Sequence, residues 1–425
     1  MPGDTPLSLR LISLLGLATF IAIAWACSEA RAKISWRLIL TALALQFLFG
    51  VLALHTTAGR AAFDAVRAGF DVIADASAYA SKFVFGNLSE FFLIANATAP
   101  GPDGALQPVS NFPISALIAF KVLPLIVFVS GLAGILTHLG VIQAAVRALS
   151  WLMRRTLKTS GAETFGVALQ VFMGIESISA QSGYIKTMTR SELFTIMTAF
   201  LGTIAASVML AYKSFGADAG HLVAASLMSA PACILIAKIL VPEQGEPLTR
   251  ERGGEEIPIE SHNVFDAAAS GAAMGVQIAL NVGALLIVFV GLIFLLDKAS
   301  LAASGASLAH WMGYAFRPAA WLIGIPAADL SVASQLIATK TVFNEFIAYQ
   351  QLGPLGSGAL SPRAHTLLTY ALCSFANPGS VGIMIAGIAS LAPERRPEIA
   401  QFALKAFLAG TLASLATAAT AGVIL

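Results

Sequence analysis

A carboxylate set in apolar surroundings constrains this chain more than any other feature. Residues 337–349 read IATKTVFNEFIAY and place Lys340, Asn344 and Glu345 between segments apolar enough to be membrane helix. A charged side chain at the middle of such a helix costs about 2.5–3.5 kcal/mol, so charges there face a polar cavity or a partner. Glu176 stands in a second apolar run, and the small, polar tail 177–183 that follows reads poorly as uninterrupted helix. Two lone glutamates at interruptions of apolar segments are the pattern of a binding site built from broken membrane helices. The alternative is a loop at headgroup level, where a Glu costs little.

Composition agrees with a membrane setting. The 425 residues are 57% hydrophobic and 11% charged, against about 25% charged in ordinary soluble domains, which indicates a polytopic membrane protein. The 25 basic and 23 acidic residues nearly cancel, which gives no reason to expect a nucleic-acid partner. Cys27, Cys233 and Cys373 show no metal or redox spacing and read as small core residues.

The fold class predicted is an all-α polytopic membrane protein of eight transmembrane helices plus two oppositely oriented re-entrant hairpins, with interfacial helices. The spans are expected at 9–26, 38–54, 113–139, 193–212, 221–240, 267–295, 365–388 and 402–425. Residues 61–79 and 141–157 are amphipathic and suit the membrane surface. Residues 96–111 read as an external loop and 243–260 as a solvated linker. Gly271 and Gly275 have the spacing of a close helix contact. Basic residues in 31–37, 147–158, 186–190 and 395–396 place those segments in the cytoplasm and both termini outside, for a multi-pass protein of a bacterial-type inner (plasma) membrane.

The two glutamates fall at equivalent places in a repeated plan. The hairpins at 165–185 and 331–351 are each followed by a span with a small, polar or Pro-containing break (202–207 and 374–380) and by a further span. The first set starts inside and the second outside, as in an inverted-topology repeat. The domains expected are 1–160 (scaffold), 161–240 (first transport repeat), 241–313 (linker and scaffold span) and 314–425 (second transport repeat). Glu176, Glu345, Asn344, Asn377 and Ser380 suit a polyol, or a heterocycle carrying one, because carboxylates accept hydroxyls and amides both donate and accept. An exposed carbonyl with the Thr203 hydroxyl suits a hard cation such as sodium. A transporter rather than an enzyme is expected.

The runs MTRSELF (188–194), HLVAASLMSAP (221–231), TKTVFNEFIAY (339–349) and TYALCSFANPGSVGI (369–383) resemble the concentrative nucleoside transporters over roughly residues 113–425. The resemblance implies a homotrimer in the lipid bilayer that imports nucleosides with sodium or, in some bacterial members, protons, and that binds no cofactor beyond a sodium ion. It implies that Glu345 grips the ribose hydroxyls with Asn344, Phe375, Asn377 and Ser380 around it. Gly174, Ile175 and Glu176 would form the base-side tip, and Gln170, Thr203 and Ile204 the sodium site. The first hairpin departs from the family pattern: its tip is one residue shorter, lacks the usual Gln and Thr, and has Gln170 where an Asn is common. This points to an unusual base preference, or alternatively to a nucleoside-binding membrane sensor or non-transporting paralogue.

Overall fold

The computed structural model describes residues 5–89, 92–94, 97–100, 106–109, 112–114, 118–174, 177, 181–249, 261–356 and 358–425. Helices α1 (Leu7–Ala26), α2 (Trp36–His55) and α3 (Thr57–Phe85) come first. Strands β1 (Phe92–Ile94), β2 (Ala97–Pro100), β3 (Leu106–Val109) and β4 (Phe112–Ile114) then form two antiparallel pairs, β1 with β4 and β2 with β3. The described parts of the segment predicted as loop thus pair as short strands, and the last strand takes the first residues of the predicted third span. Pro113 explains this shift, because it supplies no helical N–H and disfavours helix in the residue before it. The helix of that span, α4 (Leu123–His138), starts instead with Pro124 in its first turn, where proline fits.

Next come α5 (Val141–Leu157), α6 (Gly161–Met173), α7 (Ser182–Ile185), α8 (Arg190–Gly202), α9 (Ala206–Ser214) and α10 (Ala219–Leu240). They are followed by α11 (Val264–Ser304), α12 (Leu308–Leu322), α13 (Leu330–Val342), α14 (Glu345–Leu355), α15 (Pro362–Leu372), α16 (Pro378–Leu391) and α17 (Arg396–Ile424). Among the described residues the fold is all-helical apart from these short strands. In each half two interrupted elements precede one continuous helix in chain order: α6/α7, α8/α9 and α10, then α13/α14, α15/α16 and α17.

The chain divides into two compact units. One comprises Met1–Arg67, Gly140–Glu260 and Val288–Leu425, the other Ala68–Leu139 and Ser261–Ile287. In the second unit Gly271 lies against the Ser130 carbonyl and Gly131, and Gly275 lies against Val127 and Ser130 of α4, so the predicted close contact is present. The helix that carries it is longer than predicted. At 41 residues, α11 extends about 60 Å.

In the first unit α8 and α10 are buried along almost their whole length, and α17 packs against α1, α8, α10 and α15. The contact with α8 is close because Gly202 and Gly410 face each other across it. A Cβ at Gly410 would come within 2.8 Å of the Leu201 Cβ and 3.0 Å of its carbonyl carbon.

Charged and polar groups fasten the base of the first hairpin. Lys238 of α10 is buried between Glu163 of α6 (2.8 Å) and Glu243 (3.2 Å), and it also donates to the Ser191 hydroxyl at 2.9 Å. Ser160, which caps α6, donates to Glu192, and Glu192 closes a capping box with Thr189 at the start of α8. The N–H of Gly161 donates to the Thr249 carbonyl and that of Ala162 to its hydroxyl. Residues 243–249, predicted as solvated linker, are therefore a bound strap: Glu243 accepts from Lys238 and from the Thr189 hydroxyl, and Thr249 satisfies two N–H groups that the start of α6 leaves unpaired. Asp329 stands immediately before α13, but its side chain does not cap that helix. It accepts from the hydroxyl and N–H of Ser361, the residue that caps α15.

Gly410→Val would force methyl groups into the α8–α17 contact, and overpacking of this kind costs about 1–3 kcal/mol. The expected result is a thermal unfolding midpoint several degrees lower in detergent, with Gly382→Val, an open position, as the unaffected control.

Candidate substrate site

The site forms where three chain interruptions converge. The second hairpin breaks between α13 and α14, and Asn344 caps the new helix by accepting the Ile347 N–H at 2.9 Å. The second broken span opens between α15 and α16, where Asn377 caps α16 by accepting the Ser380 N–H at 2.9 Å and Pro378 occupies the first turn. The first broken span opens at Thr203 between α8 and α9. The two broken spans meet through their unwound backbones, the Phe375 N–H donating to the Thr203 carbonyl at 3.3 Å.

Glu345 is the first residue of α14, and only 3% of its surface is exposed. One carboxylate oxygen accepts the Tyr212 hydroxyl of α9 at 3.1 Å, and the other accepts the Asn377 amide N–H at 2.8 Å. The Asn377 carbonyl is committed to capping α16, so its NH2 group must face Glu345; the cap fixes the amide orientation. A helix N-terminus also favours a carboxylate at this position.

Aromatic packing sets the Tyr212 hydroxyl. Its ring stacks on Tyr349 with centroids 4.3 Å apart and meets Phe346 edge-on at 5.1 Å. The Tyr349 hydroxyl donates to the Thr369 carbonyl at 2.8 Å. Lys340 is fully buried in α13, one end of the same hairpin, and donates to Ser414 of α17 at 3.3 Å.

The expected residues take unequal parts. Glu345, Asn344, Asn377, Phe375, Ser380 and Thr203 are contributed by the three converging breaks. Phe375 and Ser380 enter the described hydrogen bonds through their backbone N–H groups, and both side chains remain half-buried. Gly174 ends α6 at φ +59°, a left-handed conformation natural for glycine, with the Ala205 side chain against it. Ile204 is fully buried beside Thr203. Ile175 and Glu176 lie outside the described residues. Tyr212 and Tyr349 were not singled out from the sequence, although a buried carboxylate demands donors and both tyrosines end apolar segments near it.

The Gln170 side chain has one committed end. Its Nε2 donates to the Ile196 carbonyl at 3.2 Å, while Oε1 is buried with no described partner. The Thr203 hydroxyl donates to the Ala199 carbonyl at 2.9 Å, leaving its lone pairs to accept. Neutral oxygens of this kind fit a hard monovalent cation.

Deeply buried polar groups at helix breaks, within a chain of long apolar helices, define a multi-pass membrane transporter. More narrowly, the chain belongs to the Na+ dependent nucleoside transporter family, the concentrative nucleoside transporters. Its residues 15–88 match the family's N-terminal description, 119–219 a nucleoside-recognition Gate description, and 221–422 the C-terminal description. The likeness thus reaches the first two spans, beyond the region in which the sequence motifs were noticed. An "Uncharacterized transporter" of Haemophilus influenzae is 38% identical over 97% of both chains. The human "Sodium/nucleoside cotransporter 1" is 33% identical over 98% of this chain and 64% of its own length. The inward-facing, substrate-bound structure of CNTnw is similar with a TM-score of 0.86 at 34% identity, covering 97% of this chain and 98% of that one. A double variant of CNTnw in an outward-facing state gives 0.87 at 33% identity, covering 98% of both chains. The relatives are transporters, and this chain is a transporter rather than an enzyme.

Tyr212→Phe removes one donor from the buried carboxylate. Hydrogen bonds to charged groups contribute about 1.5–3 kcal/mol, so the variant should unfold at a lower temperature in detergent. Combining it with Glu345→Gln should cost less than the sum of the single changes in a double-mutant cycle.

Proposed function

We infer that this chain imports nucleosides by alternating access, coupled to an ion, with Glu345 as the group that holds the ribose. The supporting observation is the Glu345 carboxylate fixed by Tyr212 and Asn377. A carboxylate offers about four acceptor sites, and these two donors take one on each oxygen. The remaining capacity suits a pair of sugar hydroxyls, which can donate to one carboxylate together. Both carboxylate oxygens are held by side chains oriented by other contacts, so little ordering remains to be done on binding.

Every described residue of this site lies in the unit that also holds both repeats. In this reading 161–240 and 314–425 are the repeats that carry substrate, and the remaining spans support them. The relatives' inward- and outward-facing structures support a cycle in which the site opens to each side in turn. The chain acts as a homotrimer in the plasma membrane, with both termini outside. Sodium is the coupling ion, held by Gln170 Oε1 with Thr203 and Ile204. The Gly174–Ile175–Glu176 tip contacts the base, and because it lacks the family's hydrogen-bonding Gln and Thr it discriminates among bases less sharply.

Glu345→Gln keeps the shape but loses the charge. The lost charged hydrogen bonds should weaken uridine or adenosine binding about 10- to 150-fold while circular dichroism stays unchanged; uptake by that variant at the native level would reject the assignment. Counterflow of radiolabelled nucleosides in proteoliposomes, with sodium and pH gradients imposed separately, tests cargo and ion together. Gln170→Leu should raise the sodium concentration needed for half-maximal uptake about tenfold. Uptake driven by a pH gradient alone and indifferent to that change would assign the coupling to protons. Saturable binding without accumulation under either gradient would make the chain a sensor.

A further inference from the structure

Helix α5 has two unlike faces. Val146, Leu149, Met153 and Leu157 are buried, and the helix packs against α2 and α6. Val141, Ala144, Ala148, Trp151 and Arg155 recur at intervals of three and four along the opposite, exposed stripe. Trp151 is 56% exposed, far more than a large indole accepts in water without cause. The Arg155 guanidinium lies 5.7 Å from its ring centroid. Arg147, Arg154 and Arg155 lie on the helix and Lys158 ends it, whereas no carboxylate occurs anywhere from residue 104 to 162. Among the described residues, Arg154, Arg155 and Lys158 have no acidic partner.

The end of the helix carries a second, independent sign. Lys158 is the C-cap at φ 55°, the one non-glycine residue with positive φ among those described. Glycine is the usual residue in this conformation, and other side chains are strained there. A lysine kept at a position that favours glycine suggests a use for its charge.

We propose that the exposed face of α5 is a docking surface for anionic phospholipid. Trp151 and the small apolar residues enter the acyl boundary of the adjacent leaflet, and Arg155 and Lys158 bind headgroup phosphates. The pairing follows from charge complementarity: an aromatic, apolar stripe flanked by unpaired cations matches a surface that is apolar below and anionic above. Because α5 packs on α6, the first limb of the interrupted hairpin, headgroup composition would bear directly on that limb.

The test uses the whole protein in phosphatidylcholine nanodiscs carrying trace spin-labelled phosphatidylglycerol or phosphatidylcholine, with the motionally restricted fraction read by electron paramagnetic resonance. The native protein should retain phosphatidylglycerol severalfold over phosphatidylcholine, with a preference that declines as salt is raised. Each of Arg155→Gln and Lys158→Gly should lower that preference, by about fivefold per cation until parity is reached. Lys158→Gly should at the same time raise the unfolding temperature by relieving the backbone, which separates a lipid contact from a structural role. Equal retention of the two lipids by the native protein, or an unchanged preference in both variants, would overturn the proposal. So would efficient cross-linking of Trp151→Cys to the same position in a second copy, which would assign the face to a neighbouring protomer.

Discussion

The structure of this transporter is organised around a carboxylate that the membrane makes costly. Glu345 is buried within an apolar bundle, where an ionised group survives only with donors directed at it. Those donors come from distant parts of the chain: Tyr212 from the broken span of the first repeat, Asn377 from the broken span of the second, and the end of α14 from the hairpin itself. Satisfying one side chain therefore requires both repeats to be correctly assembled. The carboxylate of the candidate site is therefore also a check on the assembly.

Helix interruption makes this arrangement available. An unwound stretch in hydrocarbon leaves backbone groups unpaired, at several kcal/mol each. Here the breaks answer one another: the N–H of Phe375 meets the carbonyl of Thr203, and Asn344 and Asn377 cap the helices that restart after them. Each cap also has a consequence for the site, since the Asn377 oxygen taken by α16 turns its amide toward Glu345. Local capping chemistry thereby becomes ligand geometry.

The features that could be read from the sequence were those with a local signature. The breaks at residues 343–344 and 373–377 showed themselves through a charge or a Pro-Gly pair in an apolar run. Asn344 and Asn377 were legible as amides beside a charge or a break in an apolar run, whereas their capping of the helices that follow is visible only in the fold. Tyr212 was not, because a tyrosine at the end of a span also fits the aromatic belt of any membrane helix. Lys238 and Glu163 are separated by 75 positions, and no spacing rule links them. The strap at 243–249 was misread because hydrophilic composition describes a bound polar segment and a free one equally well. The start of α4 was misplaced because hydropathy continues through Pro113 while helix geometry does not.

The first hairpin is held very unequally along its length. At its base, Lys238 is shared between Glu163 and Glu243, and Glu192 links the caps of α6 and α8. Removing one member of such a buried pair costs about 3–5 kcal/mol, since the other charge is stranded. Toward the tip the described contacts are of another kind: a side chain at Gly174 would run into the Ala205 methyl group, and the Ser177 hydroxyl donates back to the Gly174 carbonyl. Substitution near Gly174 therefore strands no charge, whereas substitution at Lys238, Glu163 or Glu243 does, so the energetic cost of change in the described limb falls from its base toward Gly174.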